Sequence, residues 1–189
     1  MNAIIRYILD MLPFMLAVLP VYVTVRVLAM RKAKFNPHRE VALLLFVMFL
    51  TGLASQTVVP EIRISGGALH VIRDGVHTTN LIPLKVFADT YTEVFKNGNV
   101  APLIINFFGN VVMFMPIGFF VPLLWRASYG RVLIIGFLCS LFVELSQLLL
   151  PRSSDVDDLI LNTAGVALGL LLYKLLCKLV PKFFSKFKE

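Results

Sequence analysis

Residues 157–173, DDLILNTAGVALGLLLY, open on two carboxylates and then stay apolar as far as Leu179. Leu159 to Leu179 meets the ~20 apolar residues that a helix needs to cross a bilayer. Within this run Asp158, Asn162, Gly165 and Gly169 recur at i, i+4, i+7 and i+11, so they share one helical face. A helix that is apolar all round yet carries one polar and small-residue stripe is read as a membrane span turned toward other spans.

Working outward, four more windows have the same length and character: Met11 to Met30, Val41 to Val59, Pro102 to Trp125, and Val132 to Leu150. The chain has 189 residues, 58% hydrophobic and 15% charged, with a mean hydropathy of +0.84. A water-soluble domain has nowhere to hide that much apolar surface. The predicted fold class is therefore all-α: a polytopic membrane helix bundle of about five transmembrane helices, one membrane domain spanning residues 1–189. Arg26, Lys174 and Lys178 lie close enough to span ends to extend their charge to the interface.

The net charge of +7 comes from 18 Lys and Arg against 11 Asp and Glu. Nucleic acid is not the partner this implies, because the cations fall in short connections between spans and in the tail. Arg31, Lys32, Lys34 and Arg39 lie in one such segment, Arg126 and Arg131 in another, and Lys182, Lys186 and Lys188 in the tail. These three segments are separated by two spans each and share a side. The positive-inside rule then predicts the N-terminus out and the C-terminus in. Asp10, Pro13 and the lack of a small-x-small cleavage site favour a retained first helix over a removed signal peptide.

The loop at residues 60–101 is predicted to be external. Ile62, Ile64, Leu69, Val71 and Val76, broken by Ser65-Gly66-Gly67 and Asp74-Gly75, suggest a β-hairpin. Thr90 to Lys96 reads as a short amphipathic helix ending at Asn97-Gly98. Cys139 and Cys177 lie at different depths, which disfavours a disulfide. His38, His70 and His77 lack partners at zinc spacing and read as solvated loop residues.

A charge at mid-bilayer costs about 2.5–3.5 kcal/mol, so Glu144 in the fourth window calls for a partner or a function. Ser140, Glu144 and Gln147 share a face of that helix, and Asn106 and Asn110 are four apart in the third window. On a rise of ~1.5 Å per residue, Glu144, Asn110 and Asn162 all fall within roughly 6 to 12 Å of one membrane face. Ser55, Gln56 and Thr57 approach the same level, and Arg152, Asp155 and Asp157 lie just above it. The economical reading is an outward pocket floored by amides and Glu144 and rimmed by Arg152 and the aspartates.

Plainer roles fit many of the same residues. Asn106, Asn110, Gln147 and Asn162 also suit interhelical hydrogen bonds worth about 0.6 kcal/mol each. Asp155, Asp157 and Asp158 begin a helix, where caps and the helix dipole favour carboxylates. Gly165 and Gly169 suit close helix contact better than chemistry. Pro116 and Pro122 are expected to kink the third span.

Several ordered strings then resemble a known family. They are Asn80-Leu81-Ile82-Pro83, Asn106-Phe107-Phe108-Gly109-Asn110, Phe114-Met115-Pro116-Ile117-Gly118-Phe119, Glu144-Leu145-Ser146-Gln147, Arg152, and Asp157-Asp158 through Gly165 to Gly169. Together they resemble the VanZ-like family over a core at residues 80–173, leaving the first 79 residues outside the strong match. The resemblance implies a multi-pass protein of the bacterial plasma membrane with a cell-envelope role, the namesake being associated with teicoplanin resistance without remodelling of the peptidoglycan stem peptide. Asn110, Glu144, Gln147, Arg152, Asp158 and Asn162 match its characteristic residues.

Three function classes follow. In the first, Asn106, Asn110, Gln147, Arg152 and Asn162 bind a lipid-linked cell-wall precursor or a glycopeptide antibiotic and shield it. In the second, a membrane enzyme acts on a phosphorylated lipid carrier, with Glu144 and Asp158 as catalytic groups and Asp155 and Asp157 holding a Mg or Ca ion. A protonated carboxyl would relieve the same excess of negative charge as a cation. In the third, Glu144 is the proton site of a transporter or flippase, against which five helices without an inverted repeat weigh unless the protein works as an oligomer.

Overall fold

The computed structural model describes residues 3–30, 35–60, 62–65, 68–71, 79–100, 103–150 and 153–187. Its elements in chain order are α1 (Ala3–Met30), α2 (Pro37–Thr57), β1 (Ile62–Ser65), β2 (Ala68–Val71), β3 (Thr79–Asn80), α3 (Lys85–Phe95), a π-helical segment (Leu103–Phe108), α4 (Gly109–Leu124), α5 (Tyr129–Leu148), β4 (Ser154–Asp155), α6 (Val156–Leu179) and α7 (Pro181–Ser185). Five of the helices, α1, α2, α4, α5 and α6, are long and apolar enough to cross a membrane. The protein is an all-α polytopic bundle.

Local chemistry sets several helix ends. Asn36 caps α2 by accepting the Arg39 N–H at 3.2 Å, with Pro37 in the first turn where its missing N–H costs nothing. Asp155 caps α6 by accepting the Asp157 N–H at 2.9 Å. Asp157 and Asp158 then occupy the first turn, at the positive end of the helix dipole.

The centre of the bundle is the seam between α4 and α6. A Cβ at Gly165 would run into the Val111 carbonyl, one at Gly169 into the Met115 carbonyl, and one at Gly118 into the Val166 carbonyl. These glycines let the two backbones touch, which matters because lipid supplies no hydrophobic drive for helices to associate. From α5, Gly136 lies against the Val166 side chain of α6, and Val132 is fully buried in the same core. α2 packs on α4 through Phe46, which stacks on Phe120 at 5.5 Å between ring centroids.

By contrast, α1 stays peripheral: none of its apolar window is buried in the protein. A two-pronged ion pair from Arg26 to Glu40 ties it to α2, with the Nε arm at 2.8 Å. Exposed Leu16, Val21, Ile134 and Phe142 on the bundle perimeter are the lipid-facing side chains expected of such a fold.

Two sequence expectations change. The third span is not uniform α-helix, since it begins with the π-helical segment. The helix expected at Thr90 to Lys96 starts earlier, at Lys85, because its first turn is capped from far along the chain, as described below. In the basic tail, which carried no structural expectation from sequence, α7 folds back beneath the bundle, burying Phe184 and Phe187, while Asn36 Nδ2 donates to the Lys186 carbonyl at 2.7 Å. β1 and β2 pair antiparallel with Ser65 opposite Ala68. The second expected turn, at Asp74-Gly75, lies outside the described residues, as does His77. Cys139 and Cys177 are both free.

Candidate functional site

The site gathers where α4 begins, α5 ends and α6 begins. β4 leads into α6 and lies parallel to β3, pairing Thr79 with Ser154 and Asn80 with Asp155. This short pairing draws the distant Asn80 strand onto the head of α6.

The side chains interlock from there. Glu144, buried on α5, accepts hydrogen bonds at Oε2 from the Ser154 hydroxyl at 3.0 Å and from the Asp155 N–H at 3.1 Å. Asp155 in turn accepts from Asn80 Nδ2 at 2.9 Å, in addition to capping α6. Asp157 is 1% exposed. Its two oxygens accept the backbone N–H groups of Leu84 and Val86, the latter at 2.7 Å. That contact caps α3, whose N-cap Leu84 sits in the left-handed region at φ 66. A leucine there is strained by about 1–3 kcal/mol, and the Asp157 carboxylate is what holds it.

Deeper in the bundle, Asn110 Nδ2 of α4 donates to Asp158 Oδ1 of α6. One turn below, Asn162 Nδ2 donates to the Ser140 hydroxyl of α5 at 3.0 Å. Asn162 is 3% exposed and its Oδ1 has no partner among the described residues. Flipping the amide exchanges which polar atom is orphaned but does not remove the orphan. An unmet buried polar atom costs about 1–3 kcal/mol, so this one is poised to receive a donor.

A sequence model of the VanZ/LLP1 family matches residues 40–177, well over half the chain. The chain belongs to that family. No curated protein and no solved structure matches it. The VanZ/LLP1 match begins at Glu40 rather than near Asn80, so it takes in most of α2, whereas α1 before it and α7 after it lie outside.

In this VanZ/LLP1 protein the expected residues fall into groups. Asn110, Glu144, Asp155, Asp157, Asp158 and Asn162 all join the interlocked layer. Asn106 is exposed on the π-helical segment, and Gln147 is half-buried on α5. Arg152, expected at the rim, lies outside the described residues. The Ser55 and Thr57 hydroxyls bond back to carbonyls of their own helix, at 2.7 and 2.8 Å. Asp155 and Asp157 direct oxygens at backbone N–H groups, and among the described residues no group of three or more His, Cys, Asp or Glu is arranged to hold a metal ion.

Sequence reasoning missed Asn80, Ser154 and the contact from Asp157 to the start of α3. The faint local sign was a helix beginning after Pro83 without a Ser, Thr, Asp or Asn at its N-cap. Its cap had to come from elsewhere.

Proposed function

We propose that the layer around Glu144, Asp158 and Asn162 recognises the polar head of a lipid-linked cell-wall precursor or of a lipid-tailed glycopeptide. By binding or shielding it, the protein would contribute to teicoplanin tolerance in the bacterial plasma membrane. The observation that carries this reading is the hydrogen-bonded convergence of polar side chains from three spans at one end of the bundle. Charged and amide groups are costly at membrane depth, and concentrating them in one layer suits a polar ligand with an apolar tail. The distribution of Lys and Arg supports an outward-facing layer. An unmatched acceptor at Asn162 suits a ligand donor.

The test is teicoplanin tolerance of cells expressing the parent, Glu144→Gln, Asp158→Asn or Arg152→Lys at matched membrane levels. Protection should fall toward the level of cells lacking the protein in all three. The lysine variant is included because it keeps the charge but loses the two-pronged fork suited to phosphate or carboxylate. Full protection from all three would sink the proposal.

A second reading draws on the carboxylates themselves. Glu144 and Asp158 both belong to the polar layer, and each engages the described residues through one oxygen. Such a pair suits acid-base work on a phosphorylated lipid carrier, with Mg or Ca as a counterion. Incubating the purified protein with lipid phosphates, with and without divalent ions, separates the readings: turnover lost in Glu144→Gln favours the enzyme.

A further inference from the structure

The opposite end of the bundle carries a different arrangement. A cavity of about 840 Å³ lies between Arg39 at the start of α2, the α4–α5 connection at Trp125, Arg126 and Ser128, Tyr173 of α6, and Phe187 of the tail. Leu123 and Phe187 also line a second hollow of about 440 Å³, whose walls are otherwise apolar save for His38 and include Val41, Leu45, Phe120 and Phe184. The two spaces therefore adjoin, one bearing cations and the other greasy.

Several features of the first cavity favour an anion. The Arg39 Nε is buried and has no hydrogen-bond partner among the described residues. Its neighbour Glu40 is already committed to Arg26. Among the described residues, none that lines the cavity is a carboxylate. Ser128 begins α5 without a side-chain cap bond, so the first amides of a 20-residue helix point their N–H groups toward the same end. Lys174 Nζ sits 3.8 Å from the centre of the Tyr129 ring, which keeps a third cation beside the opening.

A plain packing role would have these arginines cover the last carbonyls of α4, yet a guanidinium with a buried, unused N–H is matched better by phosphate oxygens than by helix ends. Free phosphate would leave the adjoining apolar hollow without purpose. An amphiphile fills both. Exposed Trp125, Tyr129 and Phe183 mark the depth of a membrane interface. On the orientation expected from the charges, this is the cytoplasmic leaflet, where anionic lipids attract basic groups.

We propose that this end of the protein binds one anionic phospholipid. Its phosphate lies between Arg39, Arg126 and the start of α5, and an acyl chain runs along Phe120 and Phe184. The folded-back tail thereby becomes a wall of the site, and the proposal stands independently of what the polar layer recognises.

The full-length protein, purified in neutral detergent, is titrated with phosphatidylglycerol, phosphatidylcholine or inorganic phosphate while thermal unfolding and native mass spectra are recorded. Phosphatidylglycerol should be retained and should raise the unfolding temperature, and phosphatidylcholine should do neither. Arg39→Gln and Arg126→Gln should each weaken phosphatidylglycerol by about tenfold, the scale of one charged hydrogen bond. Equal affinity in parent and double variant overturns the proposal. Equal stabilisation by inorganic phosphate, with no lipid retained, overturns the lipid assignment. Should the variants fail to fold, a photoreactive phosphatidylglycerol on the parent decides: labels on Val41–Leu45 or Phe183–Phe187 support the site, and labels confined to other segments overturn it.

Discussion

α6 and α1 are both apolar helices long enough to span a membrane, yet they are held in opposite ways. α6 touches α4 backbone to backbone through Gly165 and Gly169 and carries Asp157, Asp158 and Asn162 into the polar layer. α1 buries none of its apolar window and is tied to α2 by the Arg26–Glu40 pair near one end. Hydropathy alone cannot tell them apart. In lipid, an apolar surface is as comfortable against acyl chains as against another helix, so a lasting position depends on close backbone approach and on polar partners. α6 has both; α1 has the ion pair, a Tyr22 hydroxyl bond to the Glu40 carbonyl and the side chains of Met11 and Met15 against Gly52, with no backbone-to-backbone seam, and it precedes the family match.

The contrast can be broken most forcefully at the seam. Gly169→Leu forces a side chain into the Met115 carbonyl and should cost about 3 kcal/mol, the upper range for overpacking a well-filled contact. Unfolding in a mixed-detergent titration would measure it, and a shift no larger than that of Leu16→Ala on α1 would erase the distinction drawn here. Asp157→Ala comes next. Two backbone N–H groups at Leu84 and Val86 lose their acceptor, a loss of about 2 kcal/mol. Faster protease cleavage between Leu81 and Lys96 should accompany it, with the α4–α6 seam unchanged.

Arg26→Ala should cost only about 1 kcal/mol, since Arg26 and Glu40 keep side-chain exposures of 28% and 16% and such pairs are weak. If it unfolds the protein, α1 is an integral strut rather than a peripheral helix. The smallest effect is expected at Asn162→Leu. One interhelical hydrogen bond of about 0.6 kcal/mol disappears and the buried Ser140 hydroxyl loses its donor, but the orphaned amide atom goes too and offsets that loss, so the unfolding midpoint should barely move. Teicoplanin tolerance should nonetheless fall, separating a role in recognition from one in folding.

Much of the molecule was legible because it depends on local periodicity. Span lengths follow from consecutive apolar residues, and the faces bearing Asp158, Asn162 and Glu144 follow from 3.6 residues per turn. The π-helical start of the third span and the extension of α3 to Lys85 were not legible. The carboxylate of Asp157, 71 residues beyond Val86, supplies a cap that no window around Pro83 contains. Nor was the docking of the tail legible: Phe184 and Phe187 are buried where Asn36, 150 residues away, holds the Lys186 carbonyl.

By itself, then, the sequence determined that the chain lies in a membrane, how many times it is able to cross, and which side chains are too polar to face lipid. Tertiary structure alone decided the partners: Asn110 for Asp158, Ser140 for Asn162, Ser154 for Glu144, and the backbone of α3 for Asp157. The physical reason is that hydropathy and helical period are properties of one segment, whereas a partner is fixed by how two segments cross. At the central seam that crossing is set where Gly118, Gly165 and Gly169 allow two backbones to meet.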